Sequence, residues 1–73
     1  MTHTSVKGSE HLPYQFHRDL FAEYQATGRA VRVYRTRGTN AVRVSLDGHR
    51  ATCVRDARIK AERVLYGRAA GDA

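Results

Sequence analysis

RAVRVYRTRGTNAVRVSLDGHRATCV, residues 29 to 54, decides the fold. Apolar and polar residues alternate through it, and turn signals interrupt it twice. Successive side chains of a strand point to opposite faces, so the alternation gives a sheet with one apolar and one polar face. Three strands are predicted, at 29–36, 41–46 and 49–53. Asp47-Gly48 reads as a two-residue hairpin turn of type I′, whose two central residues both need positive φ. That turn pairs Leu46 with His49, Val44 with Ala51 and Val42 with Cys53. Arg37-Gly38-Thr39-Asn40, taken as a four-residue loop, pairs Arg35 with Val42, Val33 with Val44 and Val31 with Leu46. The two hairpins then agree: Val31, Val33, Val42, Val44, Leu46, Ala51 and Cys53 face the core. A slip of one residue in either turn would mix the faces.

The flanking segments read as helices. Phe16, Leu20 and Tyr24 recur at i, i+4 and i+8, with His17 and Phe21 beside them, which makes one apolar stripe. Pro13 suits a first helical turn and Gly28 the position just past a helix end, so the first helix is expected over 13–27. Val54, Ala57, Ala61, Val64 and Leu65 form the stripe of a second helix that ends at Gly67. Ile59 and Tyr66 fall off that stripe. The expected fold class is α+β, with the order α-β-β-β-α: a three-stranded antiparallel sheet carrying both helices on one face. Residues 13–67 form the single domain. Residues 1–12, polar and without periodicity, are expected as a flexible arm, and 68–73 as a disordered tail.

Length and composition bound the function. A 73-residue chain makes one small domain that buries only about 60% of its unfolded surface. A binding surface is easier to build on such a core than a deep catalytic pocket. A single cysteine excludes an intrachain disulfide. No apolar run approaches the roughly 20 residues of a membrane span, and the first residues lack the apolar centre of a signal peptide. A cytoplasmic protein with no membrane partner is the expectation. The net charge is +6, and residues 29–58 hold eight arginines against Asp47 and Asp56. Cation clustered on one element is the footprint of a polyanion binder.

The polar face of the predicted sheet carries that charge. Register aligns Tyr34, Arg43 and Thr52 in one row, and Arg32, Ser45 and Arg50 in the next, with no acid among them. Guanidinium groups fork onto phosphates and base edges, while tyrosine can stack or hydrogen-bond. A purely solubilising face would interleave acids. A second cluster comprises Arg35, Arg37 and Asn40 around the first hairpin loop, with Arg55 and Arg58 at the start of the second helix, where the helix dipole favours an anion. All of these except Ser45, ten residues, are the candidate nucleic-acid contacts.

Two families are similar in part. The α-β-β-β-α order is that of the double-stranded RNA-binding domain. Leu20-Phe21-Ala22-Glu23-Tyr24-Gln25 resembles the start of that family's first helix, and Arg55-Asp56-Ala57-Arg58 the basic element opening its second. The resemblance implies RNA contact through the first helix, the first hairpin loop and the second-helix N-terminus. Arg35-Thr36-Arg37-Gly38-Thr39-Asn40 followed by Asp47-Gly48-His49-Arg50-Ala51-Thr52 resembles HicA-type ribonuclease toxins. The catalytic histidine of that family falls on Asn40, which cannot serve as a general acid or base, so the catalytic role does not carry over.

The remaining motifs support no chemistry. His49 and Cys53 stand four residues apart on one strand, roughly 13 Å, too far to share a zinc ion or form a nucleophile–base pair. Asp19 and Glu23 read as a solvated helix face. No P-loop, dinucleotide or zinc-protease motif is present. The expectation is a small basic protein that binds DNA or RNA without catalysis or cofactor, as a monomer or homodimer. The alternative is a protein-interaction or inhibitor protein, a phage-type accessory factor docking on a larger nucleic-acid-handling complex. A ribonuclease toxin ranks behind both.

Overall fold

The structure, a computed structural model, describes residues 6–67. Its elements are α1 (Gln15–Ala26), β1 (Val31–Arg35), β2 (Val42–Leu46), β3 (Thr52–Cys53) and α2 (Val54–Tyr66), preceded by a 3-10 turn at Ser9–His11. The sheet is antiparallel with strand order β1-β2-β3, so the α+β class and the α-β-β-β-α order hold. The core joins Leu20, Phe21 and Tyr24 of α1 to Val31, Val33, Val44 and Leu46 of the sheet and to Ala57 and Ala61 of α2. The two alanines present no bulk, which lets the α2 backbone lie close to β2.

The first hairpin has the expected register: Val31 opposite Leu46, Val33 opposite Val44, Arg35 opposite Val42. Its loop closes with the Thr36 N–H donating to the Ala41 carbonyl at 2.8 Å and the Asn40 N–H to the Thr36 carbonyl at 2.9 Å. The second hairpin departs from expectation. Its turn is the expected kind, with Asp47 at φ 56° and Gly48 at φ 77°, and the His49 N–H donates to the Leu46 carbonyl at 3.0 Å. Beyond the turn, however, Val44 lies opposite Thr52 and Arg43 opposite Cys53. One residue of β2, Ser45, therefore stands against two, Arg50 and Ala51. This is a bulge, which shifts the register by one and exchanges the faces of everything after it. The Ser45 hydroxyl donates to the His49 carbonyl at 2.7 Å and ties the irregular stretch to β2. Cys53 and Ala51, expected in the core, are half-buried, and β3 shrinks to two residues.

Residues 6–12, expected within a flexible arm, pack against the sheet instead. Val6 is 3% exposed and Leu12 0%. The Val33 N–H donates to the Lys7 carbonyl at 2.8 Å, and Lys7 bridges Arg32 in parallel sense along the outer edge of β1. Apolar burial and a satisfied strand edge hold this segment in place. Gly8 permits the approach. It sits at φ +84°, and a Cβ there would lie 1.7 Å from the Val33 carbonyl oxygen. The arm's first five residues and the 68–73 tail lie outside the described residues.

In α1, the helix starts at Gln15 rather than Pro13, with Tyr14 extended before it. Phe16, expected on the buried stripe, is 53% exposed, because the first turn of α1 overhangs the core. Its ring meets the Arg58 guanidinium of α2, 5.6 Å from the ring centre. The second helix ends as expected, with Gly67 at φ 75° and its N–H donating to the Arg63 carbonyl.

Candidate nucleic-acid interface

The candidate residues Arg32, Tyr34 and Arg43 of the strands lie on the sheet face away from the helices. Register sets Arg32 beside Ser45, and Tyr34 beside Arg43, with Cys53 next in that row in place of Thr52. The parallel bridge along β1 adds Lys7 next to Arg32. A hollow of about 510 Å³ opens here, lined by Lys7, Arg32, Tyr34, Ser45, His49, Arg50, Ala51 and the backbone of Val33. A second, of about 310 Å³, adjoins it and shares Lys7, Arg32 and Ser45. The small Ser45 and Ala51 leave space that the long side chains surround. The bulge is what sets Arg50 and Ala51 together against Ser45.

Among the described residues, no acid lines either hollow. The side chains of Lys7, Arg32, Arg43 and Arg50 make no hydrogen bond or ion pair among the described residues. Three acids are engaged elsewhere. Asp47, at the hairpin tip, accepts from the Tyr24 hydroxyl at 2.7 Å. Burial and this carboxylate push the Tyr24 phenol up to about 12. Asp19 accepts from Gln15 at 2.8 Å, and Glu62 from Arg58 at 3.2 Å. The cations of the open sheet face thus have no partner among the described residues, whereas Arg18 and Arg58 on the helices are held by the Leu12 carbonyl and Gln15, and by Glu62.

The ten candidate residues divide accordingly. Arg32, Tyr34, Arg43 and Arg50 share the open face. Thr52 does not: its register partner is Val44, so the bulge turns it to the helix side, and its hydroxyl donates to the Cys53 carbonyl at 3.3 Å. Arg35, Arg37, Asn40 and Arg55 gather at the end of the sheet opposite the Asp47–Gly48 turn, because the Arg43–Cys53 pair sets the start of α2 beside the 37–40 loop. Arg37 and Arg55 are exposed there, and Asn40 adopts φ +59°. The Arg35 guanidinium reaches the Asn40 carbonyl at 3.5 Å. Arg58 is not free for an anion, being held between the Phe16 ring and Glu62.

The residue that sequence reasoning left out of the set is Lys7. Its signal was Val6 and Leu12, two isolated apolar residues that bracket Gly8 and a polar turn. Elsewhere, His17 packs against Phe16 with ring centres 4.2 Å apart, and its Nδ1 is buried without a partner. Burial and the nearby Arg58 lower its pKa, against a smaller opposing pull from Glu62. Among the described residues, no three His, Cys, Asp or Glu side chains come together as a metal site would need, and no helix is long and apolar enough to cross a membrane. In comparisons with family models, curated proteins and solved structures, nothing matches this chain.

Proposed function

We propose that this protein binds nucleic acid, without catalysis, through the arginine-rich open face of its sheet. The observation that carries the reading is the set of cations unpaired among the described residues: Lys7, Arg32 and Arg50 around hollows that no described acid lines, and Arg43 opposite the exposed Tyr34. A cation without a carboxylate partner keeps its full attraction for phosphate, and displaced counterions add to affinity. Arg37 and Arg55 at the sheet end supply a second basic patch that a long ligand could reach.

Fluorescence anisotropy with labelled single strands and duplexes of DNA and RNA tests this. Binding that weakens steeply with salt is expected. Reversing charge at Arg32, Arg43 and Arg50 together should abolish it, while reversing Arg37 and Arg55 should weaken it less. Absence of salt-sensitive binding at micromolar protein would end the reading. The same RNA must also emerge intact from long incubation; cleavage lost on replacing His49 or His17 would restore the ribonuclease alternative.

A second reading, a protein-docking accessory factor, is favoured by the aromatic cluster on the helical side. Tyr14 and Phe16 are 59% and 53% exposed with ring centres 5.8 Å apart. Nucleic acid bound on the sheet has no use for that cluster. A protein complex that survives nuclease treatment and is lost on Phe16→Ala would support it.

A further inference from the structure

We infer that the open face takes a single-stranded nucleic acid, stacking a base on Tyr34 and seating neighbouring phosphates on Lys7, Arg32 and Arg50. This rests on the nucleic-acid reading above and specifies its ligand.

Shape is the first argument. To read a duplex, a protein element must project into a major groove about 12 Å wide. Here the cations surround hollows instead of standing on a ridge. The 6–8 segment bounds the face along β1, and the bulged return of the second hairpin bounds the other side. A double helix is stiff and convex, and its bases are turned inward. It can offer such a trough phosphates alone. A single strand can turn a base into it.

Tyr34 is the second argument. Tyr34, on the outer strand β1, is 38% exposed, and its ring has no aromatic or cationic partner among the described residues. The rings of Tyr14, Phe16 and Tyr24 all have one. An aromatic face left open beside unpaired cations is the combination that holds single strands with little regard to sequence.

Size and connectivity are the third. The larger hollow, about 510 Å³, lies within the roughly 300–1,000 Å³ of small-ligand sites, enough for a base with its sugar. The smaller adjoins it across Lys7 and Arg32, where the next backbone unit would run. The Ser45 hydroxyl is already spent on the His49 carbonyl, so its part is to be small.

The test uses the full chain and three labelled probes of roughly 12 nucleotides, a length within the usual range for one single-strand-binding fold. These are oligothymidylate, its duplex with oligoadenylate, and an abasic strand of equal charge, all at about 50 mM salt. Tyr34→Ala should weaken oligothymidylate binding about 5- to 150-fold, the range of one lost base stack. Tyr34→Phe should restore it, and the abasic strand should bind Tyr34→Ala and wild type alike. Because Tyr34 is exposed, circular dichroism should report both variants folded. If wild type binds none of the probes, the nucleic-acid reading itself falls. If it binds the duplex or the abasic strand as tightly as oligothymidylate, or Tyr34→Ala matches wild type, that reading stands and the single-strand inference is overturned.

Discussion

Replacing Gly8 with alanine puts the packing of the N-terminal segment to a quantitative test. The new Cβ would lie 1.7 Å from the Val33 carbonyl oxygen and 2.7 Å from its carbon. Val33 is held from the other side by its pairing with Val44, so residues 6–8 must lift away from β1. The move breaks the hydrogen bond from the Val33 N–H to the Lys7 carbonyl, a loss of about 0.5–1.5 kcal/mol. It exposes Val6, about 1.5–3 kcal/mol, and a residue with a Cβ at φ +84° costs about 1–2 kcal/mol more. These overlap, so a destabilisation of about 3–6 kcal/mol is expected. A domain of 73 residues has about 4–11 kcal/mol in all. Urea denaturation followed by far-ultraviolet circular dichroism gives the difference. Gly38→Ala is the control: at φ +85° with open space around it, it should lose about 1–2 kcal/mol and no more. If Gly8→Ala costs no more than that control, the segment does not pack on β1 as described. Nucleic-acid binding should weaken in parallel, since Lys7 leaves the hollow with its backbone.

Three further outcomes follow from the charges. Tyr24→Phe should lose about 1.5–3 kcal/mol through its bond to Asp47. Because the folded phenol sits near 12, above its unfolded value of 10.0, that stabilisation should be complete below pH 10 and disappear as pH rises toward 12; an absorbance titration should show the variant lacking this late-ionising tyrosine. His17 has its folded pKa below 6.5, so the unfolded chain takes up the proton first; stability should fall as pH drops below 6.5, and His17→Leu should remove that slope in acid-range denaturation series. Arg58→Ala should cost about 1 kcal/mol of stability and little affinity, whereas Arg50→Ala should do the reverse, as parallel denaturation and anisotropy measurements would show.

The first hairpin was legible because four valines and a leucine mark its inner face, so only one register turns them all to the core. The second was legible at its tip alone. Asp47-Gly48 dictates a type I′ turn, but Arg50-Ala51-Thr52-Cys53 alternates polar with small residues and carries no strong apolar imprint. Nothing in that run opposes a one-residue bulge, and the Ser45–His49 hydrogen bond that secures it joins residues four apart that any hairpin might bring near. That slip took Thr52 off the candidate face. Val6 and Leu12 have no period to mark them as core, so Lys7 came to the site through a tertiary contact unseen in the pattern. Arg55 and Arg58 look alike in sequence; Glu62, one helical turn on, and Phe16, on the other helix, engage Arg58 alone and leave Arg55 free. The cationic character of the open face survived these corrections, because Arg32, Tyr34 and Arg43 lie in the strands whose register was right.

The most direct test of that face is the salt dependence of binding to oligothymidylate. Phosphate contacts by Lys7, Arg32, Arg43 and Arg50 should give a slope of log affinity against log salt of about −2 to −3, at about 0.7 per phosphate on a single strand. Reversing Arg32, Arg43 and Arg50 should flatten that slope and remove binding. A slope near zero in wild type, or a slope unchanged by the triple reversal and abolished by Arg37 and Arg55 substitutions, would contradict the assignment of binding to the open sheet face.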